Sequence, residues 1–80
     1  MTYEKKLYDL HLKFMDEYDN YSKAAIEIAK KMANGVPVSA EDHKMRETLY
    51  NTFIEAFSAH KKLQQFVLEN KIDPKKEVQG

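Results

Sequence analysis

The side chains in this sequence best suited to chemistry are three histidines, His11, His43 and His60, together with carboxylates that could share a metal ion with them. Paired helices that hold two metal ions use a Glu-x-x-His spacing, which puts both ligands on one helix face. No Glu or Asp stands three positions before any of the three histidines. We therefore predict no metal site and no cofactor.

Nucleophilic catalysis finds no better support among the residues. Ser22, Ser39 and Ser58 have no base at a suitable spacing, and the chain contains no cysteine. With only two glycines, the chain also offers no glycine-rich loop that could cradle a phosphate. The sequence therefore predicts no catalytic residue and a protein that is not an enzyme.

His60 follows the apolar spacing of its segment, so we expect a core histidine with one ring nitrogen bonded to the Tyr18 hydroxyl. The alternative is that His60 senses pH, because protonation near neutrality would place a charge among apolar groups. Tyr18 and Tyr21 could also stack on a planar ligand, with lysines contacting its phosphates. We favour the structural role for both tyrosines, as core aromatics.

Helices must position these residues, because helix breakers occur in only two segments. The first segment is residues 34–39, where Gly35 can adopt a left-handed conformation and Pro37 cannot continue a helix. The second segment is the tail, residues 70–80, which contains Pro74. Everything between these segments can be helical.

Capping residues set the expected helix bounds. Thr2 can cap a first helix over about residues 3–33, and Ser39 can cap a second over about residues 40–69. The fold class we predict is all-α, an antiparallel two-helix hairpin that forms one domain over residues 1–80. We expect the tail to be flexible.

An apolar stripe with steps of three and four residues runs along each predicted helix. The two stripes comprise Leu7, Leu10, Phe14, Tyr18, Tyr21, Ala25, Ile28 and Met32, and Met45, Leu49, Phe53, Ala56, His60, Leu63 and Val67. Folding about the turn should bring together residues whose numbers sum to 73 or 74. This register pairs Phe14 with His60 and Tyr21 with Phe53.

Further apolar residues widen each stripe, to an arc of about 200° on the first helix, which is more than one neighbouring helix can cover. We predict that these residues form an interface. They are Tyr8, Leu12, Met15, Tyr50, Ile54, Phe57 and Leu68, with Ile26 beside them. Large apolar patches mark interaction sites, so we expect a homodimer that closes as a four-helix bundle. The alternative is a monomer that docks another protein on the same residues.

The net charge and the lengths of the apolar runs limit the classes of partner that we expect. Thirteen Lys and Arg balance thirteen Asp and Glu, and this zero net charge disfavours binding to nucleic acid or to an anionic membrane. No apolar run approaches the roughly 20 residues that cross a bilayer. We therefore expect a cytoplasmic protein.

Four segments resemble the YnzC-like family of short, uncharacterised bacterial helical hairpins. They are IAKKMANG at 28–35, VSAED at 38–42, LYNTFIEAF at 49–57 and KIDP at 71–74. The resemblance covers about residues 25–78, and the first helix is longer here than in that family. It implies a cytosolic helical hairpin and no particular activity.

The segment FIEAFSAHKK, residues 53–62, is similar to the hairpins of phage proteins that sequester cyclic-nucleotide immune signals. That similarity implies a symmetric oligomer that holds a small anionic nucleotide between protomers. Our leading expectation is a non-enzymatic oligomer, bacterial or phage-encoded, that acts by binding a protein partner not identified by the sequence. The alternative is an oligomeric sponge for an anionic nucleotide.

Overall fold

A computed structural model describes residues 1–79, which form two long antiparallel helices. The first helix, α1, spans Tyr3–Ala33, and the second, α2, spans Ala40–Glu69. They pack against each other along their length and give a rod of 54 × 18 × 15 Å. The predicted all-α hairpin is confirmed.

Both helices begin at the residues whose side chains can cap them. The Thr2 hydroxyl accepts a hydrogen bond from the Lys5 amide at 3.1 Å. At the start of α2, Ser39 and Asp42 form a reciprocal capping box, in which each side chain accepts the other's backbone N–H at 3.1 Å. Gly35 follows the end of α1 with φ +68°, a conformation that glycine adopts without steric cost.

Asp42 also ties the two helices together beside the turn. The Lys31 ammonium at the end of α1 donates to the Asp42 carboxylate at 2.8 Å. This hydrogen bond, followed by those from the backbone and side chain of Ser39, lowers the pKa of Asp42 from 3.8 to about 2. One carboxylate therefore caps α2 and fixes how α1 enters the turn.

Aromatic rings fill much of the space between the helices. The Phe14 ring lies between Phe57 and His60, with centroid distances of 5.5 and 5.3 Å. Tyr21 lies in the same way between Tyr50 at 5.4 Å and Phe53 at 6.4 Å. Each of these two α1 rings thus contacts two α2 rings that stand three residues apart, on adjacent turns of the helix. The predicted pairs Phe14–His60 and Tyr21–Phe53 are confirmed.

Few side chains are deeply buried in this two-layer arrangement. The buried apolar residues are Tyr3, Ile28, Ala56 and Val67. Three residues predicted for the core stripes are exposed instead, namely Tyr18, Met32 and Met45. Met32 and Met45 flank the turn, where no further helical layer covers them. Those three assignments to the core are therefore wrong.

The residues that follow α2 run back to the start of α1. The Tyr3 amide donates to the carbonyl of Lys76 at 3.0 Å, and the Glu4 amide donates to that of Pro74 at 2.8 Å. These amides belong to the first helical turn, whose N–H groups have no partner within the helix. Where the sequence predicts a flexible tail, the structure shows a segment bound to α1; Gly80 lies outside the described residues.

Candidate interaction face

The widened apolar stripes lie exposed on the hairpin. Eight large apolar side chains on the flanks of the two helices are between 39% and 69% exposed. They are Tyr8, Leu12, Met15 and Ile26 on α1, and Tyr50, Ile54, Phe57 and Leu68 on α2. We call the surface that they form the apolar face.

The two flanks fall on the same side of the hairpin. Viewed from its own N-terminus, each helix advances clockwise by about 100° per residue. On both helices the residues of the apolar face lie clockwise of the stripe that faces the other helix, whereas Phe66, which is 47% exposed, lies on the anticlockwise flank of α2. Because the helices are antiparallel, the two clockwise flanks meet on one side. The rings of Phe57 and Tyr50 mark that side, where they reach over Phe14 and Tyr21.

The opposite side of the hairpin is polar by comparison. It carries a shallow depression of about 140 Å³ lined by Lys13, Thr52, Glu55 and Ala59 together with parts of Leu10 and Ala56. The asymmetry between the sides follows from the sequence, because the anticlockwise flanks hold mainly charged and small residues, with Phe66 as an exposed apolar exception. One side of the hairpin is therefore mainly polar, and the other exposes the eight side chains of the apolar face.

The hairpin exposes more surface than a compact protein of its mass. Its accessible area is 6179 Å² at 9.4 kDa. A compact folded monomer of that mass exposes about 5,000 Å². The difference, roughly 1,200 Å², exceeds the ~800 Å² that each partner contributes to a standard stable interface. The excess area is thus large enough for one full interface.

His60 sits at the border between the helix contact and the apolar face, and it is half-buried. Its ring lies 5.6 Å from the ring of His11 and 5.3 Å from that of Phe14. Among the described residues no hydrogen bond joins the Tyr18 hydroxyl to His60, contrary to the prediction, and the Tyr18 ring packs edge-on against Phe53 at 5.2 Å. Burial, and then the nearby His11, lower the pKa of His60 below its ordinary 6.5.

A second feature of the apolar face is an open groove near the turn. The groove has a volume of about 350 Å³ and is lined by Tyr21, His43, Arg46, Glu47 and Tyr50. Within residues 1–79 the Arg46 guanidinium makes no ion pair. Two aromatic rings and a free cation thus share one groove.

The structure brings the predicted site residues together only in part. The predicted interface residues share the apolar face, whereas His60, Tyr18 and Tyr21 do not form one cluster. Tyr21 lines the groove, and His60 lies elsewhere beside His11. In the described part of the chain, no group of three or more His, Cys, Asp or Glu is placed to hold a metal ion.

Sequence reasoning missed two functional candidates, His11 and Arg46. Both look like ordinary surface residues of an amphipathic helix. The predicted register, in which paired numbers sum to 73 or 74, places His11 opposite Leu63 and not opposite His60. No sequence signal marks Arg46, because its groove exists only where the rings of Tyr21 and Tyr50 meet.

Comparisons with known protein families, with curated proteins and with solved structures find no match to this chain. The similarities to YnzC-like hairpins and to phage nucleotide-binding hairpins therefore stay predictions. Within residues 1–79, neither helix combines the length and the apolar character that crossing a membrane requires.

Proposed function

We propose that this protein is a non-enzymatic homodimer whose apolar faces close against each other as a four-helix bundle. The observation that supports this proposal is the apolar face, where both helices expose large apolar side chains on one side of the hairpin. Leaving so much apolar surface in water is unusual for a monomer, and the excess area is large enough for one interface. Burying it contributes about 25 cal/mol per Å² before the costs of association.

A second copy is the partner that the charge distribution favours. The chain carries no net charge, so two copies meet without long-range repulsion. A two-fold arrangement also covers both faces at once and leaves neither exposed. The polar sides of the two hairpins would then form the outer surface of the bundle.

The dimer would act through protein–protein contacts, as a small regulatory, accessory or inhibitory protein of a bacterium or phage. Its polar outer surface would present those contacts. The setting we propose is the cytoplasm, whose reducing conditions suit a chain without cysteine.

A pair of charge insertions tests the assembly. Ile54→Glu places a carboxylate at the apolar face and should weaken dimerisation strongly, because an unpaired charge would be buried there. Ala59→Glu adds the same charge to the opposite, polar side and serves as the control. Sedimentation equilibrium over a range of concentrations measures both. Equal dimerisation of the two variants would count against the apolar face as the interface.

A second candidate function is the sequestration of a small anionic nucleotide by the oligomer. The observation in its favour is the groove near the turn, where Arg46 could contact a phosphate and the rings of Tyr21 and Tyr50 could stack on a base. Glu47 opposes this role, because a carboxylate in the same groove repels anions.

Thermal shift against a panel of mononucleotides and cyclic dinucleotides separates the two candidates. A nucleotide present at about 100 times its dissociation constant should add about 2.7 kcal/mol to the free energy of unfolding. Arg46→Gln should remove that gain, whereas Lys62→Gln, a charge change outside the groove, should keep it. If no nucleotide raises the melting temperature, the sponge is excluded and the dimer is not.

A further inference from the structure

The rings of His11 and His60 form a histidine pair that bridges α1 and α2. Their centroids lie 5.6 Å apart, and both rings pack against Phe14, at 4.8 Å for His11 and 5.3 Å for His60. Phe14 in turn contacts Phe57 of the apolar face. The pair therefore lies at the edge of the surface that dimerisation would cover.

Among the described residues, no carboxylate pairs with either ring to compensate a positive charge. The residues one turn away on α1 are Leu7, Tyr8, Phe14 and Met15, and those on α2 are Ala56, Phe57, Leu63 and Gln64. Among the charged and titratable neighbours in sequence, Tyr8 lies one turn before His11 on α1, and Lys61 follows His60 on α2. The nearest acid on the same side of α1 is Glu4, about 10 Å from His11 along the helix. Within residues 1–79, neither imidazole forms a salt bridge.

We propose that the His11–His60 pair makes the dimer sensitive to acid, so that a positive charge placed on the pair separates the apolar faces. This inference rests on the proposed homodimer and names its regulation. Two adjacent cations repel each other, and covering them with an apolar partner would remove the water that stabilises their charge. The neutral pair has neither cost.

The direction of the pH effect follows from the environment of His60. Burial and the neighbouring His11 lower the pKa of His60, so the neutral form is favoured in the folded chain. A histidine whose pKa is lowered by folding does not change the free energy of unfolding above pH 6.5, its ordinary pKa. It reduces that free energy as the pH falls below 6.5. Dimerisation should extend the effect, because it buries both rings further.

Sedimentation of the full chain at about pH 7.5 and about pH 5.5 tests the proposal, within the range where histidine changes charge. We expect the dimer dissociation constant to rise by about tenfold or more at the lower pH. His60→Gln should abolish this change, and His11→Gln, at an exposed ring, should reduce it. Glu55→Gln, which removes an acidic group from the polar side of the hairpin, should leave it intact. If His60→Gln fails to fold, the His11→Gln variant tests the proposal alone. A change in its dissociation constant as large as that of the wild type would then overturn the proposal.

The outcomes separate this inference from the proposed function. A dissociation constant that is the same at both pH values overturns the pH switch and leaves the dimer standing. A monomer at both pH values overturns both proposals. Circular dichroism on the same samples should show retained helicity at the lower pH; a loss of helicity in step with dissociation would overturn the switch, because the pair would then act on the fold.

Discussion

The Asp42 carboxylate has two structural roles. It completes the capping box of α2 with Ser39, and it accepts a hydrogen bond from Lys31 of α1. The free energy of unfolding should therefore depend on this corner more than on the exposed i,i+4 pair of Asp19 and Lys23, which solvent screens.

Ser39→Ala should lower the free energy of unfolding by about 1 kcal/mol, because it removes the side-chain acceptor for an N–H of the first helical turn. Urea denaturation followed by circular dichroism measures the change. Ser58→Ala is the matched control, since alanine at a helix interior position costs nothing in propensity. Equal losses in the two variants would show that the cap does not stabilise α2.

Acid should selectively remove the contribution of Asp42. Because folding lowers its pKa from 3.8 to about 2, its stabilising contribution is complete above 3.8 and is lost as the pH falls towards 2. The melting temperature of the wild type should exceed that of Asp42→Asn at neutral pH, and the two should converge near pH 2. A difference that stays constant down to that pH would contradict the assigned contacts.

Between the helices, the aromatic contacts determine how α1 and α2 align. Phe53 packs against Tyr18 and Tyr21 of α1. Phe53→Glu should cost about 3 kcal/mol or more, through lost packing and a poorly solvated charge. For a chain of this size that is a large share of the total stability. Circular dichroism should show a loss of helicity that Ile54→Glu, one residue away, does not cause.

The return of the tail to α1 has its own measurable consequence. Amides in the first turn of a helix usually exchange rapidly with solvent, because they lack partners within the helix. The amides of Tyr3 and Glu4 should be protected here by the carbonyls of Lys76 and Pro74. Hydrogen exchange measured by NMR on the full chain checks this. Exchange at the rate of an unprotected amide would show that the tail does not bind α1.

Local signals in the sequence predicted the helices well. Thr2, Ser39 and Gly35 act at short range, so they define where each helix begins or ends whatever surrounds it. The apolar spacing also predicted the facing pairs of Phe14 and Tyr21. The course of the tail was not predictable, because it depends on backbone carbonyls that meet α1 only after the hairpin has formed.

The candidate site was predictable as a set of residues but not as a geometry. Spacing alone shows that Ile54 and Tyr8 lie outside the core stripes. The flanks of both helices share one side only because the helices are antiparallel. The apolar spacing within a single helix does not reveal that arrangement. The approach of His11 to His60 likewise depends on the side chains of two helices.

The whole molecule is an elongated rod. Its radius of gyration is 17.3 Å, against about 12 Å for a compact domain of this length. Two layers of helix leave every core residue near the surface, and within residues 1–79 no large side chain is fully buried. A second hairpin would supply the missing layers without any change in the fold of the first.

Molar mass in solution tests the central claim most directly. Light scattering coupled to size exclusion, at a concentration on the order of 100 μM, should give about twice the 9.4 kDa of one chain, because association follows mass action. The same sample should be highly helical by circular dichroism. A helical, cooperatively melting species of 9.4 kDa at that concentration would contradict the claim that a second copy covers the apolar face.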